Sequence, residues 1–444
     1  MVQPICDVET LWKFDEKTAN VEAARRLTNY RDKIAEGKPE ILVCHDMKGG
    51  YLEEESDEGI MVRDGCPNPY VFLNWWNIDV FCYFSHCFVT IPPTSYTNLG
   101  HEHGCLVLGT FITEGKELCA RVLASEETVL LTVDRLVSIA RAYNFDGWLI
   151  NIENRVLVEH RENLKLFLRL LTDYMREAVE HSRVIWYDSV IASGRLHWQN
   201  QLNELNKIWY ENCDGIYLNY GWGDEELLNS ADHGKIHRIY VGIDVFARGC
   251  IGGWDCYRSF AKANLMRMSI ALFAPGWVCE KFPDADPIEH GLKFWKKLTL
   301  YAPPRPILEL PINTNFCAGF TNETDGCRFR LSSISLQPHF TRLEQPTPLG
   351  TGGVLLKKGT STRIFCFDVH CSGCRITIHA NRQLEVVVND CVVNATRDQN
   401  KFIAIINRVF QLRSLDIRID DEADCQLSDI TVEEISKENE IKMT

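Results

Sequence analysis

Asn151 and Glu153 stand two residues apart at the end of the run Asp146-Gly147-Trp148-Leu149-Ile150-Asn151-Ile152-Glu153, which otherwise reads as a buried strand. Side chains alternate along a strand, so Leu149, Asn151 and Glu153 share one face and the apolar Trp148, Ile150 and Ile152 share the other. Burying an amide and a carboxyl without partners costs several kcal/mol, so the polar face must end at an opening. The C-terminal mouth of a parallel α/β barrel is such an opening, and catalysis is done there. A strand rise of about 3.3 Å per residue puts the two backbones roughly 6 to 7 Å apart, within reach of one sugar ring. The same spacing also fits a capped strand end followed by a polar loop.

An amide cannot ionise, so Asn151 cannot be the second carboxylate of an ordinary glycosidase. It can donate and accept hydrogen bonds. If the substrate carries a 2-acetamido group, the carbonyl oxygen of that group can itself attack the anomeric carbon. Asn151 would then hold the acetamido group in attack geometry, while Glu153 protonates the leaving oxygen and later deprotonates water.

The elements that must position this pair follow from periodicity. Apolar runs with polar or small-residue exits occupy residues 41–44, 80–86, 105–111, 147–153, 184–188, 215–220, 239–244 and 269–274. Helical spacing covers residues 129–143 and 163–179, and segments 198–210 and 257–268 have helix length. Eight strands alternating with helices predict an α/β fold, a (β/α)8 TIM barrel over residues 39–300. A doubly wound open sheet is the alternative, but no Gly-rich phosphate turn follows the first strand. Residues 1–38 read as a helical lead-in. Residues 301–310, with Pro303, Pro304 and Pro306, form a proline-rich connector. Short alternating runs at 363–369, 384–388 and 414–419 then predict a smaller all-β, sandwich-like accessory domain over 311–444, frayed from residue 433 onward.

A formal charge of −14 and the lack of a long Lys/Arg run disfavour nucleic acid or an anionic membrane as partner. No apolar run of membrane-spanning length occurs, and the first thirty residues hold no signal-like apolar stretch. Many of the eighteen cysteines lie singly in apolar strands, such as Cys44, Cys82 and Cys105, which suits reduced thiols and a cytosolic location. Cys371-Ser372-Gly373-Cys374 is a lone pair without a partner pair at zinc spacing and reads as a turn. The triplets beginning at Asn322 and Asn394 are formal glycosylation sequons without meaning in a cytosolic chain. His101-Glu102-His103 is too sparse for a metal site and reads as a solvated loop, so no metal and no cofactor are expected.

Several motifs in one order carry a family resemblance. The 146–153 run, Trp186-Tyr187-Asp188-Ser189, Trp198-Gln199-Asn200-Gln201-Leu202-Asn203, Leu218-Asn219-Tyr220 and Val241-Gly242-Ile243-Asp244-Val245-Phe246 resemble those of glycoside hydrolase family 85, the cytosolic endo-β-N-acetylglucosaminidases. His45 to Tyr51, Tyr83 to His86, Ile91-Pro92-Pro93 and Leu272 to Trp277 resemble that family too, so the match spans about residues 41–280. The resemblance implies cleavage of the β-1,4 bond inside the N,N'-diacetylchitobiose core of N-glycans or free oligosaccharides. It implies Asn151 as the acetamido-orienting residue, Glu153 as acid/base, Tyr187 as an assistant on the acetamido side, and Trp198 at the border of the groove. Asn219, Tyr220 and Trp222 stand where family members contact sugar, and Asp46, Asp244 and Trp277 complete the candidate binding set.

Two other readings stay open from the residues. The frame D-G-x-D-x-D-x-E of chitinases also fits, but Leu149 and Asn151 replace its aspartates. A sugar-binding barrel without catalysis is the third class. Asp46 and Asp244 could equally cap helices, and only one of Tyr187 and Asp188 can point inward along a regular strand.

Overall fold

The structure, a computed structural model, describes residues 2–435 apart from 20, 57, 65–67, 342, 343 and 421. Eight short strands of apolar and β-branched residues, Ile41–His45, Val80–Tyr83, Leu106–Thr113, Gly147–Ile152, Arg183–Tyr187, Gly215–Leu218, Ile239–Asp244 and Ser269–Phe273, are buried along their whole lengths. They pair in parallel in chain order, and the first strand also pairs with the eighth, which closes the ring. Closure leaves no strand edge unpaired within the ring. The sheet is therefore the TIM barrel that the periodicity predicts.

Strand parity sorts the side chains. Leu42, Cys44, Val80, Cys82, Leu106, Leu108, Leu149, Ile185, Tyr187, Tyr217, Tyr240 and Ala271 form one cluster inside the ring. The opposite parity meets the helices, with Phe111 against Phe167 at 5.3 Å and Trp186 against Trp209 at 5.8 Å between ring centroids. Glu126–Tyr143 starts on a Ser125–Thr128 capping box and stops at Asn144, whose left-handed φ of 62° ends the helix. Arg161–Ala178 and Cys256–Leu265 are the other long predicted helices. The 198–210 segment differs from expectation. Only Lys207–Tyr210 is helical, because Asn203, Asn206 and Asp188 side chains bond the backbone of the preceding loop and compete with helix formation.

At the N-terminal end of the ring a carboxyl is buried completely. Glu40 accepts hydrogen bonds from Tyr30 Oη at 2.6 Å, Tyr240 Oη at 2.6 Å and Arg183 Nη2 at 3.2 Å, and Arg183 also pairs with Asp32 at 2.6 Å. His101 and His103 are likewise buried, which corrects the solvated-loop expectation. Both lie at the end of helix Thr94–Glu102, where His101 Nε2 bonds Asp146 Oδ2 at 2.8 Å and His103 Nδ1 bonds Leu99 O at 2.7 Å. The helical lead-in reduces to Val8–Trp12, with turns and irregular backbone in the rest of the described 2–38 stretch.

The chain divides into two units, Met1–Glu55 with Ile78–Phe282, and Ser56–Asn77 with Pro283–Thr444. The helix Pro287–Leu298, expected to belong to the barrel, falls in the second unit, and so does an insertion from the first third of the chain. The insertion is tied in by Ile60–Met61 pairing with Gly326–Ile334 and by Trp76, whose indole donates to Gln337 O at 2.7 Å and stacks on His339. Apart from the Pro287–Leu298 helix and a short 3-10 helix at Trp75–Asn77, the second unit is all β in the regular structure of its described residues. Its larger antiparallel sheet, through Ile376, Phe402 and Ile430, shares one core with the sheet carrying Ile364, Val386 and Ile417, which makes a sandwich. Cys371 and Cys374 end and begin consecutive strands across a two-residue turn. Seventeen described cysteines carry free thiols, and residues 436–444, most of the expected frayed end, lie outside the described residues. Among the described residues no helix is long and apolar enough to cross a membrane.

The buried Glu40–Arg183 pair generates a stability prediction. Arg183→Leu leaves the Glu40 carboxylate with hydroxyl donors alone in a dry site, and removing one partner of a buried pair costs about 3 to 5 kcal/mol. Urea denaturation should report a loss of that size, whereas a loss below about 1 kcal/mol, the range of an exposed pair, would show the cluster to be solvated.

Candidate active site

The inward parity that fills the ring with Leu149 and Ile185 carries on past the apolar layer, so the next inward residues line its C-terminal mouth. A cavity of about 390 Å³ opens there, lined by Asn151, Glu153, Tyr187, Trp198, Asn219, Tyr220 and Asp46 together with His86 and Arg248. Glu153 N still bonds Thr113 O at 2.9 Å, so its side chain keeps the strand's register one residue beyond the strand. The 2-residue spacing thus delivers both groups to one space, as expected of it.

Asn151 is 5 % exposed, and its Nδ2 donates to Glu153 Oε2 at 3.2 Å. Its Oδ1 is buried and has no hydrogen-bond partner among the described residues, which leaves one strong acceptor unsatisfied at the edge of the cavity. Burial raises the Glu153 pKa above the ordinary carboxylate value, and nearby Glu114 adds to this, while the Asn151 and Trp198 side chains and His86 pull it back. A carboxyl desolvated in this way keeps its proton to higher pH, which suits a general acid. Trp198 is 40 % exposed and presents a flat indole beside that carboxyl.

On the next strand Tyr187 points inward and Asp188 outward, which settles the parity left open by the sequence. Tyr187 Oη donates to Asn219 Oδ1 at 2.8 Å, and burial raises its pKa well above the usual phenol value. Tyr217 packs edge-on to Tyr187 and Tyr220, forming an aromatic floor that ends at Phe273. Asp188 is buried under the 197–206 loop, where its carboxylate accepts Asn200 N at 2.7 Å, Gln199 N at 3.0 Å and Asn206 Nδ2 at 2.9 Å. Burial pushes its pKa up to about 7 against the pull of those donors.

Three of the sequence candidates stand elsewhere. Trp222 is 8 % exposed, with its indole donating to Gly242 O at 2.7 Å, and does not line the cavity. Asp244 is fully buried and acts on the mouth through Arg248, whose Nε it binds at 2.7 Å. Trp277 packs in an aromatic group with Trp254 and Phe282. Conversely, Arg248, His86, Glu114 and Asn200 were not nominated from the sequence. His86 and Asn200 stand inside motifs that carry the family resemblance, whereas Glu114 and Arg248 gave no signal. A neighbouring cavity of about 410 Å³ shares Asp46, His86 and Arg248 with the first and adds Lys48, Phe246 and Glu280. The second unit holds a larger cavity of about 820 Å³, but none of the sequence candidates lines it.

A closed (β/α)8 barrel with a desolvated carboxyl, a half-paired amide and an exposed indole at its C-terminal mouth defines the glycoside hydrolase class of site. The chain belongs to glycosyl hydrolase family 85, whose family model matches residues 52–324, more than half of its length. It is 42 % identical over 323 residues to the cytosolic endo-beta-N-acetylglucosaminidase of Homo sapiens, covering 69 % of this chain and 43 % of that one. Against the Danio rerio protein of the same name it is 43 % identical over 339 residues, 72 % of this chain and 46 % of the other. The chain thus spans less than half the length of these curated relatives. The crystal structure of the glycoside hydrolase domain of Endo-D from Streptococcus pneumoniae shares the fold, with a TM-score of 0.76 at 13 % identity, over 98 % of this chain and 83 % of that one.

The raised pKa of Glu153 has a consequence for stability. Because the folded state holds this proton more tightly than the unfolded chain, stability contributed by the protonated carboxyl is lost as pH rises through the folded-state pKa. Glu153→Gln removes that loss, so Tm should exceed wild type at pH 7. The gain should shrink toward zero near pH 4, the ordinary range of the group. A gain independent of pH would show that desolvation of the charge is not its cause.

Proposed function

We propose that this chain is an endo-β-N-acetylglucosaminidase that cleaves the β-1,4 bond of the N,N'-diacetylchitobiose core of N-glycans by substrate-assisted, retaining chemistry. The observation that carries the reading is the unpaired, buried Asn151 Oδ1 held beside Glu153. An ordinary retaining site places a second carboxylate about 5 to 5.5 Å from the acid, and here the adjacent inward position holds an uncharged amide. The amide oxygen accepts the N–H of a 2-acetamido group, which orients the acetamido carbonyl oxygen toward C1 and raises its electron density. That oxygen attacks C1 as the proton of Glu153 passes to the leaving glycosidic oxygen, giving an oxazolinium ion and a free GlcNAc end. The Glu153 carboxylate then takes a proton from the incoming water, which opens the ring with net retention. Where a sugar hydroxyl replaces water, the same step is transglycosylation.

The substrates this reading assigns are N-glycans on glycoproteins and free oligosaccharides, with Trp198, Asn219, Tyr220 and Asp46 as binding residues and Tyr187 on the acetamido side. The names of the relatives and the seventeen free thiols support a cytosolic setting.

Two variants test the reading with a high-mannose glycan carrying an intact chitobiose core. Glu153→Gln should lose about 10²-fold to 10⁴-fold in hydrolysis, the range for removing a general acid. Asn151→Ala should fail on the intact glycan yet still join a preformed sugar oxazoline to a GlcNAc acceptor, since the missing step has been supplied. A glycosyl ester trapped on any Asp or Glu, or an inverted product, would refute the substrate-assisted route. Full activity of Glu153→Gln would refute the site.

A further inference from the structure

Asn200 lies in the loop after the fifth strand and belongs to no role assigned above. Its backbone sits in the left-handed region at φ 57°, a conformation that Asn tolerates better than most residues, and its N–H is held by Asp188 at 2.7 Å. Its Oδ1 receives Gly221 N at 2.9 Å and Asn219 Nδ2 at 2.6 Å. The approach of Gly221 is so close that a Cβ there would meet Asn200 Oδ1 at 2.9 Å.

These contacts settle the direction of every proton between Asn200 and the cavity. A backbone N–H only donates, so the Asn200 atom facing Gly221 is oxygen. The Asn219 atom facing that same oxygen is then its NH2, which turns Asn219 Oδ1 toward Tyr187. Tyr187 Oη, 2.8 Å away, must therefore donate to it. Its single proton is committed, and only lone pairs are left for a ligand.

We propose that Asn200 is a positioning residue that, through Asn219, makes Tyr187 a hydrogen-bond acceptor toward the substrate. This deepens the proposed function and rests on it for the identity of the substrate. The lining residues then hold two acceptors, the buried, unsatisfied Asn151 Oδ1 and Tyr187 Oη, and the site selects a sugar that presents donors to them, as a 2-acetamido sugar does with its N–H and ring hydroxyls. It also keeps the phenol proton off the acetamido carbonyl oxygen, where a donor would weaken the nucleophile. Asp188 and Gly221 serve the same end, the first by holding the Asn200 backbone and the second by admitting its side-chain oxygen.

The test reads the proton directly and its effect on catalysis separately. Neutron diffraction from the deuterium-exchanged protein should place the Tyr187 deuteron toward Asn219 Oδ1, whereas a deuteron pointing into the cavity would overturn the proposal. In kinetics on a chitobiose-core glycan, Asn200→Ala should lower kcat about tenfold with little change in KM, as expected for an interaction realised in the transition state. Gly221→Ala, which displaces the same oxygen, is the second variant and should do likewise if Asn200→Ala does not fold. Combined with Tyr187→Phe, either change should add nothing to the loss of Tyr187→Phe alone. Multiplying losses in the double variants would mean a merely structural role and would overturn it. A wild type inert on the glycan would refute the proposed function, while the neutron result would still decide the direction of the Tyr187 proton.

Discussion

Closure of the eight-stranded ring is the constraint on which everything else depends. With Val80–Tyr83 bonded to the strands on either side, no strand can slip without breaking its neighbours, and parity along each strand becomes a fixed assignment of inside and outside. The inside is filled by Leu149, Ile185, Tyr217 and their neighbours in the ring, and a polar side chain within that layer needs a partner, as Thr110 finds in Tyr83 O at 3.0 Å. The N-terminal end is sealed around Glu40, with every carboxylate oxygen engaged by Tyr30, Tyr240 or Arg183. The C-terminal end is left deliberately incomplete, with Asn151 Oδ1 lacking a partner.

That asymmetry is how one scaffold supplies both stability and chemistry. Burial at the sealed end engages both Glu40 oxygens in hydrogen bonds, whereas burial at the open end raises the Glu153 pKa and leaves the Asn151 acceptor unsatisfied. The open end is held in place from outside the ring. Asp188, pointing away from the cavity, gathers the backbone of Gln199 and Asn200 and the side chain of Asn206, and so ties down the loop that carries Trp198. Asp244 does the equivalent for Arg248 across the mouth. Carboxylates buried behind the lining thus orient the residues that face the cavity.

Much of the fold was legible because it rests on local signals. Each barrel strand announced itself as a short apolar run with a polar exit, and the alternating runs after the prolines announced a sandwich. What was misread had competing partners far away in sequence. Residues 198–206 have helical length but spend their side chains on Asp188 and on one another, and residues 56–77 join the second unit through Trp76 and Ile60, contacts more than two hundred residues distant. His101 and His103 look solvated beside Glu102, yet the His101 ring is used to satisfy Asp146 at the start of the fourth strand.

By itself the sequence determined the barrel, the inward face shared by Leu149, Asn151 and Glu153, and the family, because alternation and motif order are properties of neighbouring residues. Only the tertiary structure decided which aromatic and acidic residues near strand ends reach the cavity. Trp222 and Trp277 carry the same side chain as Trp198, but Trp222 turns its N–H to Gly242 and Trp277 packs on Trp254, while Trp198 is exposed beside Glu153. The direction of the Tyr187 proton was likewise out of reach, since it is set by Asn219, Asn200 and Gly221 from two different loops. Loop conformation depends on hydrogen bonds between segments that the chain brings together only after the ring has closed.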